Sequence, residues 1–156
     1  VATIKKNIGD IKRSEAELGW TLLLNEHIVI SHGDNSIYVI GVENDSQPPF
    51  PSYGNLKKAM GGIPQSAFKI LLSHDPTHWR REILPKTNIQ LTMSGHTHGM
   101  QLKIGKFSPS RMAFREWGGI YQEGEQVLCV SLGIGGTVPF RLGAWPEINV
   151  ITLKRK

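Results

Sequence analysis

Two short apolar runs constrain this chain more than any other feature. "FKILLS" spans residues 68–73 and "IQLTMS" residues 89–94, with the helix-compatible segment "THWRREIL" between them. Continuous apolar runs of strand length suit strands covered on both faces, and a strand, a helix and a second strand in that order predict a parallel pair with a crossover. Asp75 followed by Pro76 fits a helix start, Asp as N-cap and Pro at the first helical position. Each strand then runs directly into histidine: His74 after the first, His96 and His98 after the second. Ligands of open α/β sheets gather at the carboxyl ends of strands, so these imidazoles are expected at one sheet edge.

The remaining segments extend the pattern. Ile4, Ile8, Ile11 and Leu18 fall near helical spacing, and Gly19 suits a helix end, so a helix is expected within the first twenty residues. Strands are expected at about 21–25, 28–32 and 37–42, the last two joined by a turn at "SHGDNS". "NDSQPPFPSYGN" holds too much Pro and Ser for a ladder and reads as a loop before a short helix at Leu56–Met60. "GGIYQEGEQVLCVSLG" predicts a hairpin turning at Glu123–Glu125, and "EINVITLKR" a final strand.

Composition narrows the classes. A 156-residue chain, 39% hydrophobic, has the size of one domain with its own core. The formal charge of +5 favours phosphate-bearing partners, although no basic run interleaved with aromatics marks a specific nucleic-acid footprint. Cys129 is the single cysteine, which excludes an internal disulfide or a cysteine metal cluster and suits a buried strand position. No apolar stretch approaches the ~20 residues of a membrane span and no signal-peptide pattern opens the chain, so a soluble chain is expected as given.

Three neutral imidazoles meeting at one point would make a metal site, with Zn, Mn, Fe, Co and Ni all admissible. Glycines around polar titratable groups cost backbone entropy and add no burial, so "GHTHG" at 95–99 is poorly explained by packing. Gly95 and Gly99 also free the backbone to turn, which leaves His96 and His98 open to one ion or to two. His27, His32 and His78 lie in strand, turn and helix contexts and read as structural or solvated.

"LLSHDP" followed by "LTMSGHTHGMQ" resembles the C-terminal half of calcineurin-like metallophosphoesterases, and more narrowly their YkuE-like and YaeI-like bacterial subgroup. The likeness continues through "LLLNEHIVI", "IYVIGVEN" and "GGIYQEGEQVLCVSLGIGGTVPFRLG". It implies an α/β fold, part of a four-layer α-β-β-α sandwich with mixed sheets. It also implies hydrolysis of phosphodiesters or phosphomonoesters by a hydroxide bridging two divalent ions about 3.5–4 Å apart, Mn, Fe or Zn. On this resemblance His74 and His96 hold one metal and His98 the other. Members of the subgroup are often membrane-associated, so the complete protein is expected in the cytoplasm or at a membrane.

The resemblance also calls for Asp-x-His, Gly-Asp and Gly-Asn-His motifs; the 156 residues hold no Asp-x-His or Gly-Asn-His, and their two Gly-Asp pairs sit in other contexts. Gly9-Asp10 reads as a helix N-cap and Gly33-Asp34 as a hairpin turn, so neither is a bridging ligand. Residues 1–156 are therefore expected to be the C-terminal portion of one metallophosphoesterase domain, without the bridging Asp and acid His. Without a bridging carboxylate two close dications repel, so at most one ion is expected and the piece by itself is expected to be inactive. Met100 and Leu132 depart from the subgroup, which usually carries Gly and Arg there. Open strands and apolar faces predict self-association near "FKILLS" and "IQLTMS". Two rival readings are a mononuclear three-histidine zinc hydrolase, and a non-catalytic basic module that binds nucleic acid or anionic lipid through Lys5, Lys6, Lys12, Arg13 and the terminal "KRK", with Arg80 and Arg81 as further members.

Overall fold

The computed structural model describes residues 2–154, with side-chain surroundings from residue 8 onward. The backbone forms α1 (Ala2–Glu17), β1 (Glu26–His32), β2 (Asn35–Gly41), α2 (Leu56–Ala59) and β3 (Phe68–Leu72). A π-helical segment (Trp79–Ile83) runs into α3 (Leu84–Lys86), followed by β4 (Leu91–Ser94), β5 (Gly119–Glu123) and β6 (Gln126–Val130). All six strands share one mixed sheet in the order β1-β2-β3-β4-β6-β5. The β2–β3, β3–β4 and β4–β6 pairs are parallel, and the two outer pairs are antiparallel hairpins. The chain is thus α/β with the expected mixed sheet, and the crossover between β3 and β4 is the expected helical one.

Local chemistry accounts for most element ends. Both hairpins close with two-residue turns, Gly33-Asp34 between the His32–Asn35 pair and Gly124-Glu125 between the Glu123–Gln126 pair. Helix α1 stops at Gly19, whose φ of +77° favours glycine. There Gly19 N–H donates to Ala16 O (2.9 Å) and Trp20 N–H to Glu15 O (3.1 Å), which satisfies two otherwise free carbonyls. Asp75 opens the crossover helix as expected, its Oδ1 accepting from Thr77 N–H at 2.8 Å.

The sheet buries one face. Leu71 of β3, Ile40 of β2 and Leu128 and Val130 of β6 pack with Trp79 and Ile83 of the crossover, all six fully buried. Cys129 is buried in β6 as expected. The other face is also apolar: the registers Val39–Ile70–Leu91–Val127 and Leu72–Met93–Cys129 put one unbroken apolar surface across four strands. It is incompletely covered, with Phe68 36% and Leu72 41% exposed.

Several expectations are corrected. Residues 21–25 form no strand: Asn25 stands at φ +59°. Its buried amide donates to Glu43 Oε2 and Tyr53 O and accepts from Glu43 and Asn55 N–H, so this stretch works as a clasp between loops. Residues 147–154 form no strand either, because no neighbour pairs with them, and Ile148 and Val150 point outward at 85% and 89% exposure. Gly9-Asp10 lies inside α1 and caps nothing. The crossover is π-helical at its centre rather than α-helical. "FKILLS" and "IQLTMS" sit at the centre of the sheet, paired on both sides, so neither offers the open edge expected of it; β1 and β5 are the edges. Arg80 and Arg81 are not a free basic patch. Arg80 bonds Glu116 (2.6 Å) and Glu123 (2.5 Å), and Arg81 donates to Asp45 O at 2.6 Å. The side chains of Lys5 and Lys6, with Arg155 and Lys156, lie outside the described residues.

Candidate metal centre

Hydrogen bonds of the central ladder continue beyond the ends of β3 and β4. Ser73 N–H donates to Met93 O (3.0 Å) and Gly95 N–H to His74 O (3.1 Å), so the two histidine-bearing turns leave the sheet side by side. His96 takes φ +70°, a left-handed conformation that costs an ordinary residue about 1–3 kcal/mol and is held only by its surroundings. The result is an imidazole pair, His74 Nε2 to His96 Nδ1 at 2.9 Å, with the rings edge-to-face. One of these nitrogens carries the shared proton. Two tetrahedral ligands of a zinc-like ion at ~2.0–2.1 Å sit about 3.4 Å apart, so a small opening of the pair, with the donating ring's proton carried on its other nitrogen, would leave two lone pairs for a cation. This pair fits part of a metal coordination shell.

His98 is held differently. Its Nδ1 lies 3.0 Å from Leu132 O, which makes Nδ1 the protonated nitrogen and leaves Nε2 with its lone pair, the arrangement by which a carbonyl orients a metal-binding imidazole. Among the described residues no group of three His, Cys, Asp or Glu side chains is placed to hold a metal ion. The structure pairs His74 with His96, while His98 lies near enough to lower the His74 pKa without joining them in a three-ligand group, so a single three-histidine site is not the arrangement present among the described residues.

Burial lowers the His74 pKa, and the neighbouring His96 lowers it further while Asp75 opposes. The neutral, ligating form is thereby favoured at neutral pH. Phe50 and Phe114 stand edge-on to His96 at 6.0 and 5.3 Å between ring centroids. With Asp75 they line a cavity of about 160 Å³ beside it. Met100, at φ +47°, is 49% exposed and stays outside this cavity, and the Leu132 side chain is buried against Gly99 and Gly118.

Some residues around the histidines were not foreseen. Arg141 donates to Leu132 O (3.0 Å), Ala144 O (2.9 Å) and Gly135 O, and its guanidinium comes within 3.4 Å of His98 Nδ1. It supplies a fixed positive charge at this edge. His78, taken from the sequence as structural or solvated, is fully buried, with Nδ1 2.8 Å from Ser73 Oγ and Nε2 2.9 Å from Asp45 Oδ2. Asp45, Ser73 and His78 brace the strand end that carries His74. Loop position at the end of β2 was the available signal for Asp45; nothing local marked Arg141.

Burial pushes the His78 pKa below the ordinary value, against the opposing pull of Asp45. The unfolded chain then takes up the proton before the folded one, so stability is full above the unfolded pKa of ~6.5 and declines as pH falls below it. Urea midpoints between about pH 7.5 and 5.5 should fall on acidification, and His78→Asn should flatten that slope whatever it does to stability at neutral pH. An unchanged slope in the variant contradicts the assignment.

The chain is 33% identical over 136 residues to the uncharacterised protein YpbG of Bacillus subtilis, covering 86% of this chain and 49% of that one. It is 34% identical over 143 residues to the uncharacterised metallophosphoesterase YkuE of the same organism, 87% of this chain and 47% of YkuE. Against the phosphodiesterase YaeI of Escherichia coli the identity is 26% over 143 residues, 86% of this chain and 48% of YaeI. No protein-family model matches the chain, and no solved structure does. The chain spans about half the length of the curated relatives it matches. Over that shared stretch the chain is homologous to proteins of the metallophosphoesterase family.

Proposed function

We propose that this chain contributes the histidine side of a dinuclear phosphoesterase centre. The observation that carries the reading is the His74–His96 pair at 2.9 Å on adjacent parallel strand ends. His74 and His96 would hold one divalent ion once the donating ring carries its proton on its other nitrogen, so that both facing nitrogens present lone pairs, and His98, oriented by Leu132 O, would offer Nε2 to a second. Bound ions would supply Lewis acidity and a water of lowered pKa for attack on a phosphoester. Arg141 adds positive charge toward the substrate phosphate, while Phe50 and Phe114 shield His96 from solvent. The bridging carboxylate and the leaving-group acid come from the part of the relatives that this chain does not match, and that part supplies the layer covering Val39, Ile70, Leu91 and Val127.

Residues 1–156 alone should not cleave bis(p-nitrophenyl) phosphate with Mn²⁺. Joined to the unmatched half of a relative they should, with His96→Ala lowering turnover about 100-fold or more. Metal-dependent turnover by residues 1–156 alone, abolished by His96→Ala, would promote a self-sufficient site and sink this reading.

By itself the chain is expected to pair through its uncovered sheet face. Sedimentation velocity should show association that rises with concentration and weakens in Leu72→Lys, because a charge there resists burial. A monomer at every concentration contradicts this.

A further inference from the structure

Beyond the carboxyl ends of β4 and β6 lie two loops whose make-up the hydrolytic reading does not use. From Thr97 to Arg115 there is no acidic residue, while Lys103, Lys106, Arg111 and Arg115 are basic; from Ser131 to Pro146 the only charge is Arg141. Apolar side chains stand outward on the same loops: Ile104 is 68% exposed, Phe107 53%, Met112 88%, Phe140 64% and Trp145 62%. The adjoining acids are both engaged: Glu116 is buried between Arg80 (2.6 Å) and Arg115 (3.5 Å), and Glu147 accepts from Leu132 N–H at 2.8 Å.

These side chains are not displayed by slack loops. Ile104 and Phe107 bond each other's backbone in both directions (2.9 and 3.0 Å), making a tight tip with Gly105 and Lys106 at its turn. Lys103 N–H donates to Leu142 O at 2.8 Å and Leu142 N–H to Gln101 O at 2.9 Å, which joins the two loops. The buried Gln101 amide holds the second loop from within, Oε1 accepting from Val138 N–H (2.9 Å) and Nε2 donating to Phe140 O (2.6 Å). Exposure of large apolar groups on a braced, wholly basic surface costs solvation that a soluble partner-free loop has no reason to incur.

We propose that these joined loops are a docking surface for an anionic phospholipid bilayer. Ile104, Phe107 and Trp145 enter the boundary between head groups and acyl chains, and the surrounding Lys and Arg pair with lipid phosphates. Complementarity selects this occupant: each basic group near an anionic leaflet is worth roughly fivefold in partition, and no acid on the loops opposes it. No helix among the described residues is long and apolar enough to cross a membrane, so attachment would be to one leaflet. Through Gln101, Met100 and Gly99 the surface is continuous with the turn that carries His98, which would set the histidine edge at head-group depth.

Co-sedimentation of the chain with vesicles tests this directly. Vesicles containing about one third phosphatidylglycerol should bind at least ~10-fold more tightly than pure phosphatidylcholine vesicles, with affinity falling as salt rises. Ile104→Ser with Phe107→Ser, both more than half exposed, should lower binding about 10-fold with unchanged circular dichroism. Lys103→Gln with Lys106→Gln should remove most of the preference for anionic lipid. Equal binding to both vesicle types, or none, overturns the proposal. So does binding that survives the Ile104/Phe107 changes and disappears with Leu72→Lys, which would place contact on the sheet face. Tighter binding to a single-stranded oligonucleotide than to vesicles, insensitive to the Ile104/Phe107 changes, overturns it in favour of nucleic acid.

Discussion

Everything at the histidine edge depends on the parallel ladder between β3 and β4 running one step past the strands. The Ser73–Met93 and Gly95–His74 backbone bonds fix two loops side by side that lie twenty residues apart in the chain, and the His74–His96 pair is the direct result. Burial of Leu71, Trp79 and Ile83 beneath the sheet holds that ladder, and the Asp45–His78–Ser73 bracing holds its end. Strain at His96 is held by its hydrogen bond to His74 and by ring contacts with His74, Phe50 and Phe114.

The sheet's second face explains the rest of the architecture. Two-sided apolar strands are the mark of a sheet with layers on both sides; here the Leu71 side carries the crossover helix, while among the described residues the other side meets the tail residues Ile151 and Leu153 beside Phe68, Leu91 and Val127. That leaves the Ile70–Leu91–Val127 side as the natural seat of a second layer, in keeping with the four-layer sandwich expected from the resemblance. The same asymmetry separates two kinds of exposed apolar surface. One is a flat sheet face made by strand registers; the other is the basic loop surface around Ile104 and Phe107.

What was legible in the sequence was what local rules determine. β3 and β4 are continuous apolar runs, both hairpins carry Gly at a positive-φ turn position, and Asp75-Pro76 opens a helix in the ordinary way. The placing of His74 beside His96 followed from the crossover alone. The errors arose where an apolar run lacks a partner: "TLLLN" and "EINVITL" have strand composition, but a strand exists only through its neighbours, and Asn25 instead spends its amide on the loop between β2 and α2, at Glu43, Tyr53 and Asn55. Arg141 was hidden because it meets His98 across 43 residues, through carbonyl contacts that no motif announces. His98 itself was legible as a polar residue in a Gly-rich turn, but its attachment to Leu132 O, rather than to the other two rings, is a consequence of β6.

The central claim is that His74 and His96 are joint ligands of one divalent ion. Crystals soaked in Mn²⁺ or Zn²⁺ and measured at the metal's absorption edge test it directly. The account predicts an anomalous peak between the two rings, within about 2.0–2.3 Å of His74 Nε2 and His96 Nδ1, with their separation opened beyond its present 2.9 Å. No peak there, with metal bound elsewhere or nowhere, would contradict it.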